Sequence, residues 1–255
     1  MNIGFIGTGG ITEAMIHGMV GCLGHADPVW VSRRSSERSA RLAAKYSTVN
    51  VLDENQAIVD RSDWVVLAVL PRQAEGVIDR LEFRASQTII SLVAGLEVAA
   101  LRRHVSPCEN VCRMIPLPPI EYAVGPLPVY PGLSEVVSFF ERLGTVVPVE
   151  DESCFNVFSA NSGLMANFFE WTAAQARWME EQGVSPESAS RYASAFVYGL
   201  ASLVQRSPVD QLQSMSDECL TPGGLNEQVL NESREMGWFE MLRPSLDSVL
   251  KRLQR

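Results

Sequence analysis

The sequence is poor in the side chains that most often carry acid–base or metal chemistry. Among 255 residues there are two lysines, Lys45 and Lys251, and three histidines, His17, His25 and His104. The five cysteines, Cys22, Cys108, Cys112, Cys154 and Cys219, form no Cys-x-x-Cys pair. Cys108 and Cys112 have no Cys or His nearby in the chain to complete a zinc site, so both are read as structural and no metal is expected. An odd number of such thiols suits a reducing compartment, and a cytoplasmic location is expected. No run of about 18 apolar residues is present, which excludes a membrane-spanning helix. The first strand is expected from Asn2, and no signal peptide is expected. Positive charge is the minority: 21 Lys and Arg face 30 Asp and Glu, for a net charge of -9. That balance argues against nucleic acid as a partner.

Glycine, by contrast, is concentrated where it means most. Residues 1–15 read MNIGFIGTGGITEAM. Asn2 to Ile6 is a short apolar run that predicts a buried strand. Gly7, Thr8, Gly9 and Gly10 make a tight turn, and a helical pattern starts at Ile11. A strand, a glycine turn and a helix in that order cradle a pyrophosphate: glycine lets the backbone approach, and free N–H groups at the helix start face its charge. The third position of the G-x-G-x-x-G fingerprint is Thr12, a bulkier residue where helix and strand should touch.

The same alternation continues. Strands are predicted at Pro28–Ser32, Trp64–Val69, Thr88–Leu92, Asn110–Met114 and Thr145–Val149. Helices are predicted at Ser36–Tyr46, from Pro71, at Val98–His104 and at Ser134–Leu143. Strands and helices alternating at this length predict an α/β, Rossmann-like, doubly wound and mostly parallel sheet over residues 1–150. After Asp151 no strand is expected. A long helix over Ser153–Gln182, helix starts at Ser185-Pro186 and Ser207-Pro208, and an amphipathic stretch from Gly224 onward predict an all-α domain over 151–255. Phe155, Phe158, Phe168, Phe169, Trp171 and Trp178 are too many for one apolar stripe. A homodimer, or a higher oligomer, is expected through residues 151–255.

A chain that binds NAD places an acid at the end of its second strand to hold the ribose 2′-hydroxyl. Here that strand ends in Ser32, Arg33 and Arg34, with no acid until Glu37. Hydroxyl and guanidinium groups suit a 2′-phosphate, so NADP(H) is the expected cofactor. Neither lysine stands near a strand end, and the three histidines carry no partner motif. Without an acid–base residue, alcohol oxidation is hard to run. An iminium carbon is already electrophilic, so reduction of C=N mainly requires that the two reactants be positioned.

Five segments, in order, then resemble the pyrroline-5-carboxylate reductase family. They are Gly4–Ala14 (GFIGTGGITEA), residues 67–72 (LAVLPR), residues 91–95 (SLVAG), residues 113–119 (RMIPLPP) and residues 221–226 (TPGGLN). Asn55 stands at the family's spacing from the second of these, where an asparagine meets the cofactor ribose. The resemblance implies a Rossmann domain with a helical dimerisation domain, NAD(P)H-dependent reduction closing proline synthesis, and an active site shared between subunits. On that basis Gly7, Thr8, Gly9, Gly10 and Ile11 would hold the pyrophosphate, and Ser32, Arg33 and Arg34 the 2′-phosphate. Ala68, Val69, Pro71, Ala94 and Gly95 would line the nicotinamide. Asn161, Gly163, Gly223, Gly224 and Leu225 would line the substrate pocket, and Ser162, Thr221 and Asn226 would be the catalytic residues, with Asn226 either donating to an imine nitrogen or capping a helix after Gly224.

The departures fall on the substrate side. The two threonines that follow the family's Pro-Gly-Gly are Leu225 and Asn226 here, and the asparagine of its MPN segment is Leu117. Its SGSGPAY segment corresponds to about Ser159–Gly163, with proline and tyrosine gone. Polar groups that bind a substrate discriminate strongly, so exchanging them changes substrate. The leading expectation is an NADPH-dependent reductase of a cyclic imine. The alternatives are a related reductase with a less polar imine, and a catalytically silent NADP(H)-binding protein.

Overall fold

The computed structural model describes residues 1–254 and divides into two compact units. One comprises Met1–Ala160 with the residues from Leu250 on, the other Asn161–Val249. The division expected after residue 150 stands at the end of the last strand, whereas the compact units part within a helix that follows.

The first unit holds eight strands: β1 (Ile3–Ile6), β2 (Val29–Ser32), β3 (Val49–Leu52), β4 (Trp64–Leu67), β5 (Thr88–Ser91), β6 (Asn110–Met114), β7 (Pro126–Tyr130) and β8 (Thr145–Pro148). They form one sheet in the order 3-2-1-4-5-6-7-8, and only the β6–β7 pairing is antiparallel. Its helices are α1 (Gly10–Ile16), α2 (Ser36–Lys45), α3 (Asn55–Arg61), α4 (Pro71–Ile78), α5 (Val98–His104) and α6 (Ser134–Phe140). Strand order reverses between β1 and β4, and ligands of such sheets bind at that switch, outside the carboxyl ends of the strands.

Both faces of the sheet are covered, which is why β4 reads as a continuous apolar run. Trp64 and Val66 join one core with Ile3, Phe5, Met15, Val31 and Phe140. Val65 and Leu67, pointing the other way, join a second core with Ile6, Ile58, Ile78 and Leu101. Each such Val or Leu contributes roughly 1.5–3 kcal/mol when fully buried. Cys112 lies in the first core, and burial pushes its thiol up to about 12. Cys108 is buried in the second, with its thiol likewise raised by burial. Both are inert packing groups.

The structure adds β3, α3 and β7 to the elements expected from sequence. β3 is a four-residue VNVL with a polar residue inside it, and β7 is PLPVY, whose prolines lack the N–H that a ladder uses. Pairing with their neighbours outweighs those local signals. The first helix ends at Ile16 and continues as a wider π turn over His17–Cys22. Its Leu23 N–H reaches back to the Gly18 carbonyl. A Cβ at Gly18 would stand 2.2 Å from the Ile120 carbonyl oxygen, so the close approach there requires glycine.

After β8 the described residues are helical, from the end of the first unit through the second. The long helix expected over Ser153–Gln182 is broken: a short turn (Glu152–Cys154) leads into α7 (Phe155–Ser162), and after Gly163 and Leu164 α8 runs Met165–Glu181. Glycine's backbone freedom weakens a helix there. α9 (Pro186–Arg206) starts as expected, its Ser185 hydroxyl accepting the Ser188 N–H. Ser207-Pro208 opens only a 3-10 turn, Val209–Gln211, before α10 (Met215–Glu218). The terminal amphipathic stretch is two helices, α11 (Leu225–Glu235) and α12 (Leu242–Leu253), separated at Gly237, whose φ of +69° suits a helix stop.

Candidate functional site

The glycine turn sits at the switch point and is braced from β2. Gly7 has φ +103°, and its N–H donates to the Ser32 hydroxyl at 3.1 Å. The Thr8 hydroxyl donates to the Ser32 carbonyl at 2.6 Å. Ser32 is therefore buried and turned into the turn, holding it more directly than it would hold a ligand. Thr12 does not weaken the motif as its bulk suggested. It is fully buried, and its hydroxyl donates to the Gly7 carbonyl at 2.8 Å. A hydrogen bond replaces the close helix–strand contact that a third glycine would allow. Gly9 caps α1 with extended backbone, and a Cβ at Gly9 or Gly10 would meet nothing within 4 Å. The turn is closed on its inner side and open on its outer side.

Beside the turn lies a cleft of about 330 Å³, within the range of small-ligand sites. Of the residues expected at the cofactor, it brings together Gly7, Ser32, Arg33, Arg34, Asn55 and Val69. Ile6, Asp53 and Val77 line it too and were not foreseen. Thr8, Gly9, Gly10, Ile11, Ala68, Pro71, Ala94 and Gly95 are outside that lining. Pro71 opens α4, Ala68 follows β4, and Ala94 and Gly95 form an exposed turn after β5, with Gly95 at φ +78°. A signal for Asp53 was present: VNVL followed by an acid places a carboxylate at a strand end.

Arg33 and Arg34 emerge from the end of β2. Arg33 Nε pairs with Asp53 Oδ1 at 2.6 Å. Arg34 also borders an adjoining polar hollow with Ser35, Ser36 and Arg38. The helix beside the turn is tied to α2 by Glu13, which accepts from Arg38 at 2.7 Å and from Arg41 at 2.6 Å. Burial alone would raise the Glu13 carboxyl, but hydrogen bonds from Arg41 and Arg38 outweigh it and hold it below the usual carboxylate range.

The histidines fall outside this arrangement. His17 Nδ1 lies 2.8 Å from the Tyr46 hydroxyl, with its imidazole lowered by burial and by Lys45. His25 is lowered by burial, and His104 pairs with Asp79.

The expected substrate residues belong to two places in the second unit. Asn161, Ser162 and Gly163 mark the break between α7 and α8. Thr221 to Asn226 form the entry to α11. There Gly223 has φ +72°, its N–H donates to Glu227 at 2.7 Å, and the Gly224 N–H donates to the Thr221 carbonyl at 2.7 Å. Gly224 is the N-cap, so Asn226 is not. It stands in the first helical turn, and its amide Nδ2 donates to the Cys219 carbonyl at 3.0 Å. Leu225 is 83% exposed. The loop is built and held, but within one chain it lies open.

A doubly wound sheet with a glycine turn at its switch point, followed by a helical unit, defines a two-part oxidoreductase of the Rossmann type. Residues 2–95 match the family described as NADP oxidoreductase coenzyme F420-dependent, and residues 152–255 that described as pyrroline-5-carboxylate reductase dimerisation. Residues 152–255 thus carry the dimerisation domain of pyrroline-5-carboxylate reductases, and the chain as a whole is similar to those enzymes. The pyrroline-5-carboxylate reductase of Pseudomonas aeruginosa is 25% identical over 98% of this chain and 94% of its own length. The fold matches that of 1-pyrroline-5-carboxylate reductase from Streptococcus pyogenes with a TM-score of 0.82, at 22% identity, covering 99% of this chain and 98% of that one. It also matches Plasmodium falciparum pyrroline carboxylate reductase with NADP bound, with a TM-score of 0.81 at 20% identity over 99% and 97% of the two chains.

Proposed function

We propose that this protein is a cytoplasmic, NADPH-dependent reductase of the C=N bond of a cyclic imine, with pyrroline-5-carboxylate as the first candidate substrate. The observation that carries the reading is the braced glycine turn opening beside a cleft with two arginines, in a chain that keeps the family's segments along its length. Residues 1–150 would bind the dinucleotide, and 151–255 would bind substrate and dimerise. Gly7 to Ile11 would hold the pyrophosphate through backbone N–H groups, Arg33 and Arg34 the 2′-phosphate, and Asn55 the ribose. Bound NADPH would supply the hydride. Ala68, Val69, Pro71, Ala94 and Gly95 would fix the nicotinamide face. Asn161, Ser162, Gly163, Thr221, Gly223 and Gly224 would hold the substrate, and the free N–H of the Asn226 amide would face its nitrogen. With no lysine available, orientation and exclusion of water would do most of the work.

Dimerisation is supported by the second unit itself. Phe168, Phe169, Trp171, Trp178 and Tyr198 are exposed by 37–76%, and an apolar groove of about 520 Å³ runs between α8 and α9. Surface of that kind is normally covered. Phe155 does not belong to this face: it is buried under the Arg113 guanidinium, 4.5 Å from its ring. A dimer would also cover the open loop at Leu225. That apolar side chain, in place of a family threonine, favours a less polar imine as the second reading.

The test is NADPH oxidation with pyrroline-5-carboxylate and a panel of cyclic imines, by protein whose mass is followed by light scattering. Turnover by a dimer or larger species is expected. Tight NADPH binding without turnover on any imine would instead show a silent nucleotide-binding protein, and a monodisperse monomer would overturn the dimer. Replacing Arg33 and Arg34 together by alanine is expected to raise the Michaelis constant for NADPH at least tenfold more than that for NADH, since each charge-assisted contact contributes about 1.5–3 kcal/mol. Equal effects on both nucleotides would refute the 2′-phosphate assignment.

A further inference from the structure

The end of β2 carries no acid, yet the cleft contains one. β2 and β3 run parallel with Ser32 opposite Leu52, so the residues that follow, Arg33 and Asp53, emerge side by side at the carboxyl edge of the sheet. The Arg33 N–H donates to the Leu52 carbonyl at 3.1 Å, which fixes the two strand ends together. Arg33 Nε then meets Asp53 Oδ1 at 2.6 Å, and both side chains line the cleft with Ser32 and Arg34. The pair is more than half exposed on both sides, and pairs of that kind add little to folding stability. What Asp53 changes is the charge offered to a ligand.

The geometry points to Asp53 as the residue that sets the balance between NADPH and NADH, an inference that rests on the cofactor reading above. Its carboxylate does two things in this position. It neutralises Arg33, taking up the Nε edge of the guanidinium and leaving Arg34 as the arginine without an ion-pair partner among the described residues. A ribose 2′-phosphate therefore meets one net positive charge rather than two. It also supplies from β3 the acceptor that an unphosphorylated ribose hydroxyl requires and that β2 lacks. The first effect weakens NADPH and the second favours NADH, so the site accepts both.

The test is direct binding, by fluorescence titration of the intact wild-type protein and of Asp53→Asn with NADPH and with NADH at low ionic strength, where charge effects are least screened. Asparagine keeps the size of the side chain and removes its charge. The expected result is tighter NADPH binding and weaker NADH binding. Together these should raise the preference for NADPH about tenfold, equivalent to about 1.4 kcal/mol. A preference unchanged within about twofold, or moved toward NADH, would overturn the role of Asp53 while leaving the cofactor assignment intact. Failure of the wild-type protein to bind either nucleotide would overturn both. Asp53→Ala should shift the preference in the same direction, and a shift toward NADH there would also count against the inference.

Discussion

Gly7→Ala is expected to lower NADPH affinity by two orders of magnitude or more, with a loss of thermal stability, whereas Gly9→Ala affects binding alone. At Gly7 the backbone is left-handed in φ, and a Cβ would stand 2.5 Å from the Ala68 carbonyl oxygen and 2.9 Å from its carbon. Both are backbone atoms just past β4, so no side-chain rotation can relieve the clash. The positive φ costs a residue with a Cβ about 1–3 kcal/mol, and the turn must then move off β4. That displacement breaks the Gly7 N–H bond to Ser32 and disturbs the Thr8 and Thr12 hydroxyls bonded within the same turn. A total near 3 kcal/mol corresponds to roughly a hundredfold in affinity. At Gly9 the φ is -85° and a Cβ meets no atom within 4 Å. Its alanine should fold normally and hinder only a group brought against the open face of the turn. Fluorescence titration with NADPH, beside thermal unfolding of both variants, checks the contrast. Near-normal NADPH binding by Gly7→Ala would remove the turn from the cofactor site.

Glu152→Ala is expected to lower the melting temperature of the first unit by about 6–12 °C, the shift for about 3 kcal/mol in a domain of this size. Arg113 at β6 is only 3% exposed. Its Nη1 donates to Glu152 Oε1 at 2.8 Å, its guanidinium lies over the Phe155 ring, and its Nε is buried without a hydrogen-bond partner. The same Glu152 oxygen accepts the Val98 N–H at 2.8 Å, at the first residue of α5. One carboxylate thus neutralises a buried cation and caps a helix whose own N-cap side chain makes no such bond. Removing it leaves a buried charge and an orphaned N–H. Breaking a buried pair from one side costs about 3–5 kcal/mol, and the lower end applies because Glu152 is 19% exposed at its side chain. Glu152→Gln should fall between, keeping an acceptor for Val98 but not the charge. Differential scanning calorimetry checks the order, and a melting temperature for the alanine variant within about 2 °C of wild type, less than 1 kcal/mol, would show that Arg113 is stabilised by other means.

Glu152 and Asp53 show where sequence reading stopped. Neither sits in a recognisable motif, and each acts on a residue far away in the chain. Glu152 precedes α7 and serves β6 and α5, while Asp53 follows a strand whose polar interior hid it and serves Arg33. Local patterns cannot reveal such pairs, because the register that joins them is set by the whole sheet. Asn226 is a related case. Its position in the loop was legible, but that it does not cap the helix was decided by Gly224, which takes the N-cap, while the Asn226 amide donates to the Cys219 carbonyl.

By itself the sequence determined most of the alternation of strands and helices, the glycine turn at residues 7–10, the change to helices after residue 150 and the resemblance to pyrroline-5-carboxylate reductases. These are properties of hydrophobic period, glycine placement and short segments, all of which act over a few residues. The tertiary structure decided what the turn rests on, since Ser32 and Thr12 brace it only once β2 and α1 lie beside β1. It also decided the charge at the ribose end of the cleft, because parallel pairing of β2 with β3 sets a carboxylate against Arg33. Charges that meet across strands depend on register, and register is a property of the assembled sheet.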